Sequence, residues 1–199
     1  SESTVCRTIN KIENALIHSG QFTLPGKKKL QESDTFIEII LVDATEQAIE
    51  RPKKKQKLHY SGKKKRHTQK AQVVINQETK QIIATYFGKG RTHDFRLLKE
   101  SKMTGPKATC CLADSGYQGL TDLHANSNIP DKKSKHHLLT DDEKRANRKL
   151  SRRRILVENV IGKLKVFRIL SERYRNRRKR FSLRFNLIAA IFNFELQTT

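Results

Sequence analysis

Three acids in this 199-residue chain have neighbours that give them chemical interest: Asp43, Asp114 and Glu158. Asp43 closes the apolar, β-branched run FIEIILVD, and Asp114 closes ATCCLAD. Glu158 lies in RRRILVENVIGKLK, beside Leu156, Val160, Leu164 and Phe167 at helical spacing. Two carboxylates at the ends of two buried strands and a third on a late helix are what metal-dependent phosphoryl transfer requires. Mg2+ takes oxygen ligands and keeps waters, so a few carboxylates plus a substrate phosphate complete its shell. Two such ions roughly 3.5–4 Å apart activate an attacking water or 3′-hydroxyl and stabilise the leaving oxygen. Each acid also has a plainer reading. An Asp before Ser-Gly is a turn former, and Glu158 can pair with Arg154 four residues earlier for about 0.2–0.5 kcal/mol.

The cations around Glu158 fit the same chemistry. Steps of four and seven residues at about 100° each put Arg154 and Lys165 on its helix face, where they suit an approaching phosphate backbone or simply make a solvated basic face. The whole chain shares this bias: 42 Lys and Arg against 20 Asp and Glu give a net charge of +22 and a pI near 10.2. That excess goes far beyond what solubility needs and points to a polyanionic partner, nucleic acid first. Cys6, Cys110 and Cys111 form no CxxC pair or disulfide ladder, which fits a reducing compartment. No apolar run approaches the roughly 18–20 residues that cross a bilayer, and no signal pattern opens the chain. These features predict a soluble, non-secreted protein. The start at Ser1 without Met suggests that an N-terminal portion is missing.

The elements that must position the acids can be read from periodicity. Residues 2–17 carry Val5, Ile9, Ile12 and Leu16 at helical intervals, with Ser3 as the expected N-cap. GQFTLPGKKK reads as a connector. A buried strand runs from Phe36 to Asp43. The acid-free basic run over residues 51–70 reads as an exposed hairpin or loop turning at Ser61-Gly62. AQVVIN and QIIATYF are strands around a turn at residues 77–80, and a short helix after GRTHDF takes Asp94 as its N-cap. ATCCLAD is a further buried strand, and residues 121–140 read as irregular. Thr140 caps a helix beginning DDEKRANRKL, with acids in its first turn, and the Glu158 helix follows. SLRFNLIAAIFNFEL is dense enough in apolar residues to be a helix packed on the core. The plan is α/β around a mixed sheet.

At these residues the sequence resembles the catalytic domain of DDE-superfamily transposases of the bacterial insertion-sequence and Harbinger-like type. The matching pieces are VDATE with Asp43, the block from Arg51 through YSGKKKRHTQKAQVVIN, GRTHDF, LADSGYQG with Asp114, and NRKLSRRRILVENVIGKLKVFRIL with Glu158. They span roughly residues 36–196. The resemblance implies an RNase H-like mixed sheet flanked by helices, two Mg2+ (or Mn2+) ions on the triad Asp43, Asp114 and Glu158, nicking of DNA at element ends, and strand transfer by the freed 3′-hydroxyl. Double-stranded DNA, as transposon ends and target, is the implied partner. A homodimer or larger synapse and a bacterial cytoplasmic, nucleoid-associated location follow by the same analogy. Arg154 and Lys165 match an insertion-sequence signature around the last acid, whose Tyr position holds Ser151 here. Lys63, Lys64, Lys65 and Arg66 are the further expected DNA contacts, and His93 and Asp94 are placed near the site without an assigned role.

The resemblance also divides the chain. Residues 1–19 would be the residual recognition helix of a helix-turn-helix, residues 20–34 a linker, and residues 35–199 the catalytic domain. Two other functions remain in view. A decayed or domesticated transposase would bind DNA without chemistry. An RNA-binding basic protein would explain the charge but not the strand-end acids, and it lacks a stacking platform: there is no Trp and the four Tyr are scattered.

Overall fold

The computed structural model describes residues 1–32, 37–134, 138–176 and 178–198. In chain order its elements are α1 (Glu2–His18), α2 (Gly26–Lys29), β1 (Ile39–Ala48), α3 (Gln56–His59), β2 (Tyr60–Ser61), β3 (Arg66–Asn76), β4 (Ile82–Lys89), α4 (Asp94–Ser101), β5 (Cys110–Leu112), α5 (Leu120–Leu123), β6 (Ser127–Asn128), α6 (Asp141–Leu164), α7 (Arg168–Ser171) and α8 (Phe181–Thr198). The strands make one mixed sheet in the order β2-β3-β1-β5-β6, with β4 also on β3. β1, β3 and β4 pair antiparallel, whereas β1-β5 and β5-β6 pair parallel. The α/β plan around a mixed sheet is therefore the observed one.

Alternation along β1 feeds two cores, as a strand buried on both faces must. Leu41 faces a cluster with Val73 and Ile75, closed by Val157 and Leu164 of α6 and by Phe181 and Phe185 of α8. Ile40 and Val42 face the opposite cluster, with Val74, Leu98 of α4 and Tyr117. α6 begins with a complete capping box. The Thr140 hydroxyl accepts from the Glu143 amide at 3.2 Å, and the Glu143 carboxylate accepts from the Thr140 amide at 2.7 Å.

Several local expectations need correction. β1 does not close at Asp43 but continues to Ala48, because β3 pairs it throughout, Asp43 opposite Val73 and Glu46 opposite Lys70. Its expected start at Phe36 lies outside the described residues. The segment over residues 51–70 is not uniformly exposed: the turn occupies residues 62–65, Ser61 is buried, and Arg66 already begins β3, which carries Lys70 inward. The two helices expected after residue 140 are one 24-residue helix, since no Gly or Pro interrupts residues 141–161. Residues 121–140 contain the end of α5 and the short β6.

Two of the three expected caps shift as well. Ser1 rather than Ser3 holds the N-cap position of α1, and His93 rather than Asp94 that of α4. α1 itself docks with the wrong face for an amphipathic helix. Val5, Ile9 and Ile12 stay 58, 44 and 54 % exposed, while Glu13 is buried against Arg184 of α8 at 2.5 Å. Asn10 and Asn14 accept further hydrogen bonds from Arg180. Among the described residues, no helix is long and apolar enough to cross a membrane.

Candidate active site

Register explains why two acids from distant parts of the chain meet. The last parallel pair of β1 and β5 is Leu41 with Leu112, so Asp43 and Asp114 each lie two residues beyond it on neighbouring strands. β5 stops there and the chain turns, with Asp114 at the N-cap of a 3-10 turn, its Oδ1 accepting from the Gly116 amide at 2.7 Å. β1 continues because β3 still holds it. The expected strand-end position therefore holds for Asp114, whereas Asp43 lies within β1, just past its parallel pairing with β5.

Asp43 is 18 % exposed, and its Oδ1 accepts from the Ala44 amide at 2.7 Å. Burial pushes its carboxyl up to about pKa 6, against the pull of that hydrogen bond; the Asp114 and Asp94 charges push the same way and Arg154 opposes them. A third carboxylate thus joins the pair, from a residue that the sequence places near the site without a role. Asp94 Oδ1 takes a 2.6 Å ion pair from Lys70, which also stands 3.8 Å from Glu46. Neither Glu46 nor Lys70 was legible in advance. Their pairing is a cross-strand contact, and Lys70 looks in sequence like the last member of an exposed basic run.

Gly116 lies between two of these acids. A Cβ at that position would stand 2.9 Å from Asp114 Oδ1 and 3.3 Å from Asp94 Oδ2, so a side chain there would wedge into the space the carboxylates share. Beneath them Tyr117 is fully buried, and its hydroxyl has no hydrogen-bond partner among the described residues. Burial, then Asp43, Asp94 and Asp114, raise its pKa well above the ordinary phenol value. An orphaned hydroxyl, a space held open by glycine and neighbouring carboxylates are the oxygen-donor chemistry that a hard cation takes.

Glu158 stands apart from this group. It is 60 % exposed, and its Oε1 lies 3.9 Å from the Arg154 guanidinium, which is itself 3.9 Å from Asp43 Oδ2. Both the helix-pair reading and the site reading describe it in part: it pairs with Arg154 and it lines the same cleft as Asp43. Among the described residues, no three His, Cys, Asp or Glu side chains stand close enough to hold one metal ion together.

The cleft, about 540 Å³, is bounded by Asp43, Glu46, Asp94 and Glu158 on its acidic side and by Lys63, Lys64 and Lys165 on its basic side. Lys165, at the C-terminal end of α6, is half-buried; burial and the Lys64 charge lower its pKa, against the pull of Asp43. His93 lines the cleft too. Lys65 and Arg66, which follow Lys64 in the chain, are exposed, Lys65 in a left-handed turn conformation and Arg66 donating to the Lys64 carbonyl at 3.3 Å. Arg154 is only 12 % exposed and is held between carboxylates rather than offered to solvent.

Comparison with known proteins gives the chain a family. Residues 42–193 match the family described as DDE superfamily endonuclease. A probable transposase for insertion sequence element IS702 from Microchaete diplosiphon is 53 % identical over 196 residues, which cover 98 % of this chain and 71 % of that protein. No solved structure matches the chain. The family match takes in every acid of the site and the helix that carries Glu158, and the chain belongs to the DDE superfamily endonuclease family.

Proposed function

We propose that this chain is a transposase catalytic domain that cleaves DNA at the ends of a mobile element and joins the freed 3′ end to a target, using divalent ions held by Asp43, Asp114 and Glu158. The observation that carries this reading is the placement of Asp43 and Asp114 two residues beyond the last parallel pair of two neighbouring strands, with Asp43 on a cleft that Glu158 also lines. The strand sequence β4-β3-β1-β5-β6, antiparallel through the first three and parallel through the last two, supports an RNase H-like assignment. The outward stripe of Val5, Ile9 and Ile12 supports residues 1–19 as a residual recognition helix, since a helix-turn-helix would cover it. On this reading residues 20–34 link that helix to a catalytic domain over residues 35–199.

When bound, two Mg2+ or Mn2+ ions would supply the acidity that activates a water or 3′-hydroxyl and stabilises the leaving oxygen. The chain's residues do the rest. Asp43 and Asp114 offer fixed carboxylate oxygens, and Lys70 holds Asp94 beside them. Arg154 orients Asp43 and Glu158, while Lys165, Lys63 and Lys64 line the cleft, with the exposed Lys65 and Arg66 next in the chain, to neutralise phosphates of double-stranded DNA. Joining two ends to one target calls for a dimer or larger assembly.

The test is a titration of Mg2+ or Mn2+ into the wild type and into Asp43→Asn, Asp114→Asn and Glu158→Gln, following ion binding and nicking of supercoiled DNA. We expect wild-type binding and nicking, with nicking reduced at least 100-fold in each variant, about 3 kcal/mol of transition-state stabilisation. Undiminished nicking in all three variants would falsify the assignment, and a wild type inert towards both metal and DNA cleavage would leave only a DNA-binding protein.

A further inference from the structure

A second cleft, larger than the first at about 740 Å³, lies beside it, and Arg91, Thr92 and His93 line both. The ridge between them is fixed to the sheet. The Gly90 amide donates to the Thr68 carbonyl at 3.1 Å and the Arg91 amide to the Leu58 carbonyl at 3.2 Å. A Cβ at Gly90 would lie 2.0 Å from Thr68 Oγ1 and 2.7 Å from the His59 carbonyl, so only glycine lets the backbone approach this closely. The ridge is therefore a built wall shared by two adjacent clefts.

The chemistry of the second cleft differs from that of the first. It contains no acid apart from Glu100, which Arg96 pairs at 2.9 Å. Lys89, Arg91 and Lys179 supply exposed positive charge around it. Its floor is apolar, made by Leu58, 39 % exposed, and by Phe87, whose ring is held edge-on against Phe181 and Phe185 at 5.7 and 5.6 Å. Its volume falls within the usual range of ligand pockets, about 300–1,000 Å³. Cations around a fixed aromatic floor are the two components of a single-strand binding surface: phosphates on the rim and a base on the π-face. A base within a duplex is stacked and paired and cannot reach that floor.

We infer that this second cleft binds an unpaired stretch of DNA leading away from the reacting phosphodiester, with Lys89, Arg91 and Lys179 on its phosphates and one base against Phe87 and Leu58. The inference rests on the proposed function for the identity of the strand, but not for the binding itself. The ridge then guides the strand from the acidic cleft, where it is cut, into a basic one, where it is held.

The experiment measures binding of a fluorescein-labelled ten-nucleotide single strand, and of the matching duplex, to the full chain in EDTA across a salt series. The variants are Lys89→Gln with Lys179→Gln, Leu58→Asn, and an exposed control pair, Lys132→Gln with Lys133→Gln. The first pair should weaken single-strand binding about tenfold and reduce its salt slope by about 1.4. Leu58→Asn should weaken the single strand about fivefold with an unchanged slope, and spare the duplex. Losses no larger than the control pair's, or equal losses on single strand and duplex, overturn the inference. No metal is present, so failure here leaves the cleavage reading intact, and failure of cleavage leaves this result standing.

Discussion

Burial holds the Asp43 carboxyl protonated up to about pH 6 in the folded chain, whereas in the unfolded chain it ionises near 3.8. Between those values the native state binds more protons, so Asp43 makes stability fall as pH rises through that window and then level off. The cost above pH 6 is about 3 kcal/mol. In metal-free protein, Asp43→Asn should therefore raise the urea midpoint at pH 7.5, with the gain shrinking as pH drops through 6 and gone near pH 4. A pH-independent effect would mean that Asp43 is not strained by its surroundings. The acids themselves were legible because each ends or interrupts an apolar pattern. Lys70 and Tyr117 were not, because what makes them part of the site is their partners. A buried lysine at the end of a basic run and a tyrosine in DSGYQG have no signature of their own.

At the scale of elements, patterns of four to eight residues identified β1, β3 and β5 inside the sheet and β4 on its outer side, and the apolar density of α8 identified its place in the core. What sequence reasoning missed was non-local. β1 outlasts its apolar run because Glu46 and Thr45 are paired on β3, opposite Lys70 and Ala71. The two-residue β6 exists only because β5 supplies its partner at Cys111 and Leu112. α1 reverses the expected polarity for the same reason: an ion pair with Arg184, not its own apolar stripe, fixes its docking. Glu13 and Arg184 are 11 and 10 % exposed, and Arg184 also donates to the Tyr174 hydroxyl at 3.4 Å. Breaking such a pair strands a buried charge, so Glu13→Ala should destabilise the chain by about 3–5 kcal/mol, and Glu13→Leu with Arg184→Met should recover most of that loss. Urea unfolding of the three proteins decides it; a double variant as weak as the single would mean that α1 is held by shape rather than by charge.

Over the whole molecule, the net charge of +22 is spread along the chain, and part of it stands where a polyanion would reach the acids. Lys63, Lys64 and Lys165 bound the site cleft, and the exposed Lys65 and Arg66 follow in the chain. If Lys63, Lys64 and Lys65 each neutralise one phosphate, replacing all three by Gln should reduce the salt slope of duplex binding by about 2.7 while leaving metal binding unchanged. A slope unchanged by the triple replacement would place the duplex elsewhere on the surface.

Arg154 gives the site a feature of timing. Its guanidinium stands between Asp43 and Glu158 and offsets part of the carboxylate charge within the chain itself. An ion that entered the site would therefore meet carboxylates already partly neutralised by a fixed cation. On the proposed reading, loading becomes an exchange: Glu158 leaves one positive partner for another. The same arginine that sits between the two carboxylates would then set how readily the site is armed.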